Sequence, residues 1–102
     1  MMYKTALLLF FLIGFYLLSF AQQELIVKGL VFEKGSPSRI ENTIVTNKTT
    51  KKHTTTDEWG NFEIATIIGD TLIFSKANYD DLSKVILVKQ NLIIYLTKSI
   101  AL

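Results

Sequence analysis

The chain of 102 residues has no cysteine, one proline, one histidine and one tryptophan. Without cysteine there is no disulfide framework, no thiolate zinc site and no thiol nucleophile. A lipobox cysteine is also missing, which excludes lipid attachment there. The lone histidine, His53, stands among lysines and threonines with no second ligand nearby in sequence, whereas metal binding or general-base work needs convergent partners. No Gly-x-Ser-x-Gly nucleophile elbow occurs. Strong charge of either sign is missing too. Eleven basic residues face nine acidic ones, a net of +2. Lys4 is the only charged residue of the first 21, so the remainder carries ten basic against nine acidic side chains. That balance argues against a nucleic-acid binder, which needs a basic face. At this length one domain is the ceiling, and a multi-domain enzyme is excluded. No window shows a sustained helical period with caps, and there is no internal repeat, low-complexity tract or inter-domain linker.

One long apolar run is present, at the N-terminus. Residues 5–21 read TALLLFFLIGFYLLSFA, 14 of 17 apolar and none charged, after a start carrying Lys4. Ser19 and Ala21 are small residues at the −3 and −1 positions of a cut before Gln22. A basic start, a short apolar core and a small-x-small exit predict a secretory signal peptide over residues 1–21, cleaved between Ala21 and Gln22. The alternative is a retained anchor. The run is shorter than the roughly 20 apolar residues of a full span, and no basic cluster follows it. Cleaved, the chain carries no integral membrane segment and is exported to the periplasm, to the outer membrane or beyond. An extracytoplasmic domain this small and without disulfides must hold together by its core alone.

Residues 22–102 read as a series of short strands. Thr, Ile and Val make up 26 of these 81 residues. Strand-like runs recur between turn signals at Glu24–Phe32, Asn42–Asn47, Lys52–Thr56 (polar but rich in β-formers), Asn61–Ile64, Thr71–Ser75, Leu82–Val88 and Leu92–Leu96. This pattern predicts an all-β domain of seven strands, a sandwich or barrel. Gly29 inside the first run suggests a bulge or a close backbone approach. The runs LIFS, VILV and LIIYL are apolar on both faces, which predicts central positions in the sheets. NTIVTN and KHTTT alternate or are polar, which predicts one solvent-facing side.

The most informative stretch is Thr56-Asp57-Glu58-Trp59-Gly60-Asn61-Phe62-Glu63-Ile64. Read physically it is a tight turn. Asp57 takes the first position, where its carboxylate accepts backbone N–H bonds, and Gly60 the fourth, where φ > 0 is wanted. Phe62 and Ile64, two apart, share a face and enter the core. A calcium loop is the rival reading, from Asp57, Asn61 and Glu63. It fails because the twelfth position, which wants a bidentate Glu, is Ile68.

TDEWGNFEI resembles the T-D-x-x-G-x-F-x-I segment of the carboxypeptidase-like regulatory domains. The frame around it agrees. Val27-Lys28-Gly29-Leu30-Val31 matches an opening V-x-G-x-V strand. Pro37 and Ile44-Val45 match a Pro-containing loop and a short apolar strand. Gly69-Asp70, Leu72–Ser75 and Asn78-Tyr79 match a Gly-Asp turn and a strand ending near Gly-Tyr. The likeness covers nearly all of residues 25–97. It implies a seven-stranded transthyretin-like (prealbumin-like), Ig-like β-sandwich over residues 22–102, and family turn-motif roles for Thr56, Asp57, Gly60, Phe62 and Ile64. Two departures stand out. Asn78 occupies a position where the family has Gly, a change the left-handed tolerance of Asn permits. Arg39-Ile40-Glu41-Asn42 replaces the usual Leu-x-Gly after the proline and leaves the register of the second strand open.

Such domains accompany peptidases, open TonB-dependent outer-membrane receptors or stand alone in exported envelope proteins, and are not themselves catalytic. The resemblance therefore implies a non-catalytic envelope module without a cofactor, acting by contact with an envelope protein or as a spacer. The alternatives are a carbohydrate- or small-ligand-binding module and the N-terminal fragment of an outer-membrane receptor. Trp59, at the turn tip, packs in the core or, exposed, is a contact residue of the kind enriched in hot spots. Tyr79 and Tyr95 lie on other elements, and the sequence places no aromatic platform beside Trp59. Lys48, Lys51 and Lys52 read as a charged edge hairpin that resists aggregation, or as a contact for an acidic glycan or lipid head group. Asn47-Lys48-Thr49 fits a glycosylation sequon. The apolar tail Ser99–Leu102 fits either a docked tail or a truncation.

Overall fold

The computed structural model describes residues 23–100. The expected signal peptide and its cut at Ala21 and Gln22 lie outside the described residues. The described chain is all-β: β1 Leu25–Glu33, β2 Ile44–Asn47, β3 His53–Thr55, β4 Asn61–Thr66, β5 Thr71–Ser75, β6 Leu82–Val85 and β7 Leu92–Leu96. Among the described residues no helix is long and apolar enough to cross a membrane.

Two sheets form, one of three strands in the order β4-β1-β7 and one of four in the order β3-β2-β5-β6. This layering is that of a β-sandwich. β1 pairs antiparallel with β4 on one side and parallel with β7 on the other. The second sheet is antiparallel throughout. Alternation along each strand decides what is buried. Val27 and Val31 of β1, Phe62 and Ile64 of β4, and Leu92, Ile94 and Leu96 of β7 meet Val45, Leu72 and Phe74 from the other sheet. Phe62 packs edge-on to Phe74, with ring centroids 5.4 Å apart, a favoured aromatic geometry.

The two-faced apolar runs correct the expectation of central positions. TLIFS is central, between β2 and β6, but LIIYL and the strand containing the start of VILV are both sheet edges. In VILV only Val85 lies in β6. Ile86 donates its N–H to the Asp70 carbonyl and accepts from the Gly69 N–H. The chain then leaves the ladder, and Leu87 and Val88 are exposed. In LIIYL the residues Ile93 and Tyr95 face away from the core, 59% and 52% exposed. The alternation places the second apolar face outside the protein rather than under another layer. The second strand starts at Ile44, later than the Asn42 expected, because Asn42 turns the chain at φ 56°.

Candidate interaction surface

The turn motif is built as its residues dictate. Asp57 Oδ1 accepts from the N–H groups of Trp59 and Asn61, each at 2.9 Å, and Oδ2 accepts from Asn61 Nδ2 at 3.3 Å. The Asn61 N–H first, then the Trp59 N–H, hold the Asp57 carboxyl below its ordinary value. Gly60 donates its N–H to the Asp57 carbonyl and sits at φ +76°. A Cβ there would also lie 2.7 Å from the Val31 carbonyl, so the turn is clamped directly onto β1. Thr56 is buried; its Oγ1 donates to the Ile40 carbonyl at 2.7 Å and accepts from the Thr43 N–H at 2.9 Å. Phe62 and Ile64 enter the core. These five residues position the loop, and the side chain the loop delivers outward is Trp59, 61% exposed.

From that turn a chain of contacts leads to the outer face of the three-stranded sheet. Arg39 Nη1 donates to the Trp59 carbonyl at 3.4 Å. The same guanidinium carbon lies 5.7 Å from the centroid of the Phe32 ring, within cation–π range. Phe32 in turn stacks on Tyr95, with centroids 5.7 Å apart and planes 27° from parallel. The parallel register sets this pair, because it places Phe32 opposite Tyr95 and Leu30 opposite Ile93 on the outward side. The result is an apolar strip, Leu30, Ile93, Phe32 and Tyr95, bordered by Arg39. The polar neighbours on β4 are already engaged: Glu63 with Lys28 at 3.6 Å, and Asn61 with Asp57.

The sequence signal for this strip was the two-faced apolar character of LIIYL, which reads equally as a central strand. Nothing local in the sequence joins Phe32 or Arg39 to Tyr95, so their part in the strip depends on the β1–β7 pairing. The other flagged residues lie elsewhere. His53 is exposed on edge strand β3, opposite Thr46. Asn47 of the sequon is fully buried, with its amide donating to Asp70 and the Ala65 carbonyl, which closes it to modification in the folded domain. No family model matches the sequence, and no curated protein matches it significantly.

Below the strip the end of β1 is tied to the C-terminal segment. Glu33 Oε1 accepts from the Tyr79 hydroxyl at 2.9 Å and pairs with Lys98 Nζ at 3.1 Å. The Tyr79 hydroxyl first, then Lys98, hold the Glu33 carboxyl below its ordinary value of 4.5, while the same carboxylate raises Tyr79 and Lys98. A carboxyl whose folded pKa is lowered stabilises the protein above its unfolded pKa, and that contribution disappears as pH falls through the folded value. Glu33→Gln is therefore expected to flatten the acid side of the stability profile while leaving its slope near neutrality unchanged. Thermal melts followed by circular dichroism between about pH 7 and about pH 3 measure this. Parallel acid limbs in variant and wild type would refute the assignment.

Proposed function

We propose that the chain is a non-catalytic module of the carboxypeptidase-like regulatory kind, a transthyretin-like β-sandwich exported to the cell envelope, where it acts by binding another protein. The observation that carries the protein-binding part is the outward strip of Leu30, Ile93, Phe32 and Tyr95 beside the exposed Trp59. Scattered exposed apolar residues are ordinary; a contiguous strip with an aromatic pair and an Arg has the composition of an interface core. One backbone detail supports the family reading. Asn78, which stands where the resembled pattern has glycine, takes a left-handed conformation at φ 72°. The export part rests on the residue pattern of positions 1–21.

Carbohydrate binding is the second reading, favoured by the stacked Phe32–Tyr95 pair. It is the weaker one, because a sugar platform also needs polar side chains to bond hydroxyl groups, and Glu63 and Asn61 are already engaged.

The test uses the full chain expressed in a Gram-negative host. A photo-crosslinking residue at Phe32 is expected to give a discrete protein adduct, and one at His53 on the opposite sheet none. The intact mass of the periplasmic product should begin at Gln22. Equal crosslinking from both positions, or from neither, overturns the interaction reading. An uncut species in the inner membrane overturns the export reading. Heat on titration with a glycan panel, abolished by Tyr95→Ala, would move the assignment to carbohydrate.

A further inference from the structure

We infer that the open side of the sandwich between β6 and β7 is a second binding site, which takes an extended acidic peptide segment as an added strand. The inference rests on the reading of the chain as a protein-binding module; its cleft adjoins the outer strip at Ile93 and Tyr95 but is not lined by Leu30 or Phe32.

β6 and β7 are the edges of different sheets and run antiparallel. They are tied at one end by the Tyr79–Lys98 bridge and by the Asp80 N–H donating to the Thr97 carbonyl. From there they diverge around a cleft of about 440 Å³ lined by Lys34, Leu82, Ser83, Lys84, Ile94 and Tyr95, among others. A second hollow of about 250 Å³ continues it past Lys84 toward Ile86 and Leu92.

Backbone parity shows which groups face this cleft. Lys34 donates to the Leu96 carbonyl, so residues 92, 94 and 96 of β7 bond β1, and the N–H and C=O of Ile93 and Tyr95 point the other way. Ile86 exchanges bonds with the Gly69–Asp70 turn, so residues 82, 84 and 86 face β5, and the backbone groups of Ser83 and Val85 point outward. Two strand edges thus confront each other with their ladder groups available among the described residues. This is the arrangement that strand addition exploits.

Lys84 fixes the chemistry of the occupant. It stands opposite Leu72, which is fully buried, and in phase with Leu82 and the buried Ile86. Its register phase is therefore that of the core-facing residues of an edge strand, but its side chain stays solvent-exposed, lining the open cleft between Leu82, Ile86, Leu92 and Ile94. Lys34 adds a second positive charge at the mouth, and no carboxylate lines either hollow. A lysine on an edge strand is also a known guard against edge-to-edge association. That role is compatible with the proposal, since it keeps out strands that bring no negative charge. A second copy of this chain does not fit. The strand carboxylates of the described residues are Glu33 and Glu63, and both already pair with lysines. The two remaining sheet edges are β3, which carries His53 beside Lys52, and β4, whose Glu63 is the one paired with Lys28. The occupant is a foreign segment with one carboxylate between apolar residues at alternate positions.

The probe is the capped peptide Thr-Val-Thr-Glu-Thr-Val-Thr, with a counterpart carrying Lys at its centre. Titration followed by amide chemical shifts and hydrogen exchange should protect Ser83, Val85, Ile93 and Tyr95. The Glu peptide should bind about tenfold more tightly than the Lys peptide, as complementary charge confers partner selection. Lys84→Glu should reverse that order. Lys84→Met, which keeps the cleft filled and the fold intact, should abolish the discrimination. Equal affinities for the two wild-type titrations, protection at other amides, or protection that rises with protein concentration alone would each overturn the proposal. Crosslinking from Phe32 is an independent readout, so failure in the cleft leaves the outer-strip reading standing.

Discussion

Gly29→Ala is expected to destabilise the domain more than any surface change, by at least ~3 kcal/mol, the upper part of the range for overpacking a core. Gly29 lies on the inward side of β1, the strand that both β4 and β7 pair with. A Cβ built there meets the Leu92 carbonyl oxygen at 2.5 Å and two atoms of the Phe62 ring at 2.6 and 2.7 Å. Neither neighbour yields cheaply. The oxygen belongs to the backbone of β7, directly opposite Gly29 in the ladder. The ring is held edge-on against Phe74, which is fully buried. For a domain of this size each kcal/mol corresponds to about 4–8 °C of melting temperature, so a fall of roughly 12–24 °C is expected by calorimetry. Phe62→Leu, itself destabilising through lost ring volume, removes the side-chain clash but not the carbonyl. The double variant should therefore be less unstable than the sum of the two single changes, without returning to the level of Phe62→Leu alone. A Gly29→Ala protein that melts with the wild type would refute the close approach. Loss of β7 from the sheet would also separate Tyr95 from Phe32, so crosslinking from Phe32 should weaken in this variant even below its melting temperature.

Local chemistry made one part of the molecule legible in advance. Asp57, Gly60, Phe62 and Ile64 lie within eight residues of one another. Each does what its type favours there: the carboxylate takes nearby N–H groups, the glycine takes positive φ, and alternate apolar residues go inward. Gly29 was readable for a similar reason, as a missing side chain inside a strand. The outer strip was not readable in that way. Phe32 and Tyr95 meet only because β7 pairs parallel to β1, and such a contact between distant segments depends on topology rather than on composition. The same limit explains the misplacement of LIIYL. Two apolar faces state that both sides prefer to leave water, not what covers them. When the strand proved to be an edge, its second apolar face became the strongest indication of a contact surface. Lys84 followed the same logic in reverse. In sequence it is a lysine in a polar–apolar strand, and only its register opposite Leu72 places it, still exposed, along the cleft between β6 and β7.

The second large effect is expected at Asn47, far from either surface. This residue joins three segments that sequence alone leaves separate. Its Nδ2 donates to Asp70 Oδ2 at 2.8 Å and to the Ala65 carbonyl at 3.3 Å, and its Oδ1 accepts from the N–H groups of Thr49 and Thr50. It therefore closes the β2–β3 turn, bridges from β2 in one sheet to β4 in the other, and satisfies a buried carboxylate. Asn47 is fully buried and Asp70 nearly so. Asn47→Leu preserves volume but leaves Asp70 with the Ile67 N–H at 2.9 Å as its remaining partner. An incompletely compensated buried carboxylate together with orphaned turn N–H groups should cost about 3 kcal/mol. Asp70→Leu alone should also be costly, because it strands the Asn47 amide and the Ile67 N–H. Removing both partners costs less than the sum, since neither then faces an apolar surrounding with an unmet charge or amide. The double-mutant cycle, read from urea unfolding, should show a coupling of at least ~1 kcal/mol. Additive single changes would mean that the two side chains stabilise the turns independently. Coupling would mean that the link between the sheets is one polar unit, placed at the opposite end of β5 from the Tyr79 turn and so able to hold the sandwich closed there while the β6–β7 side stays open.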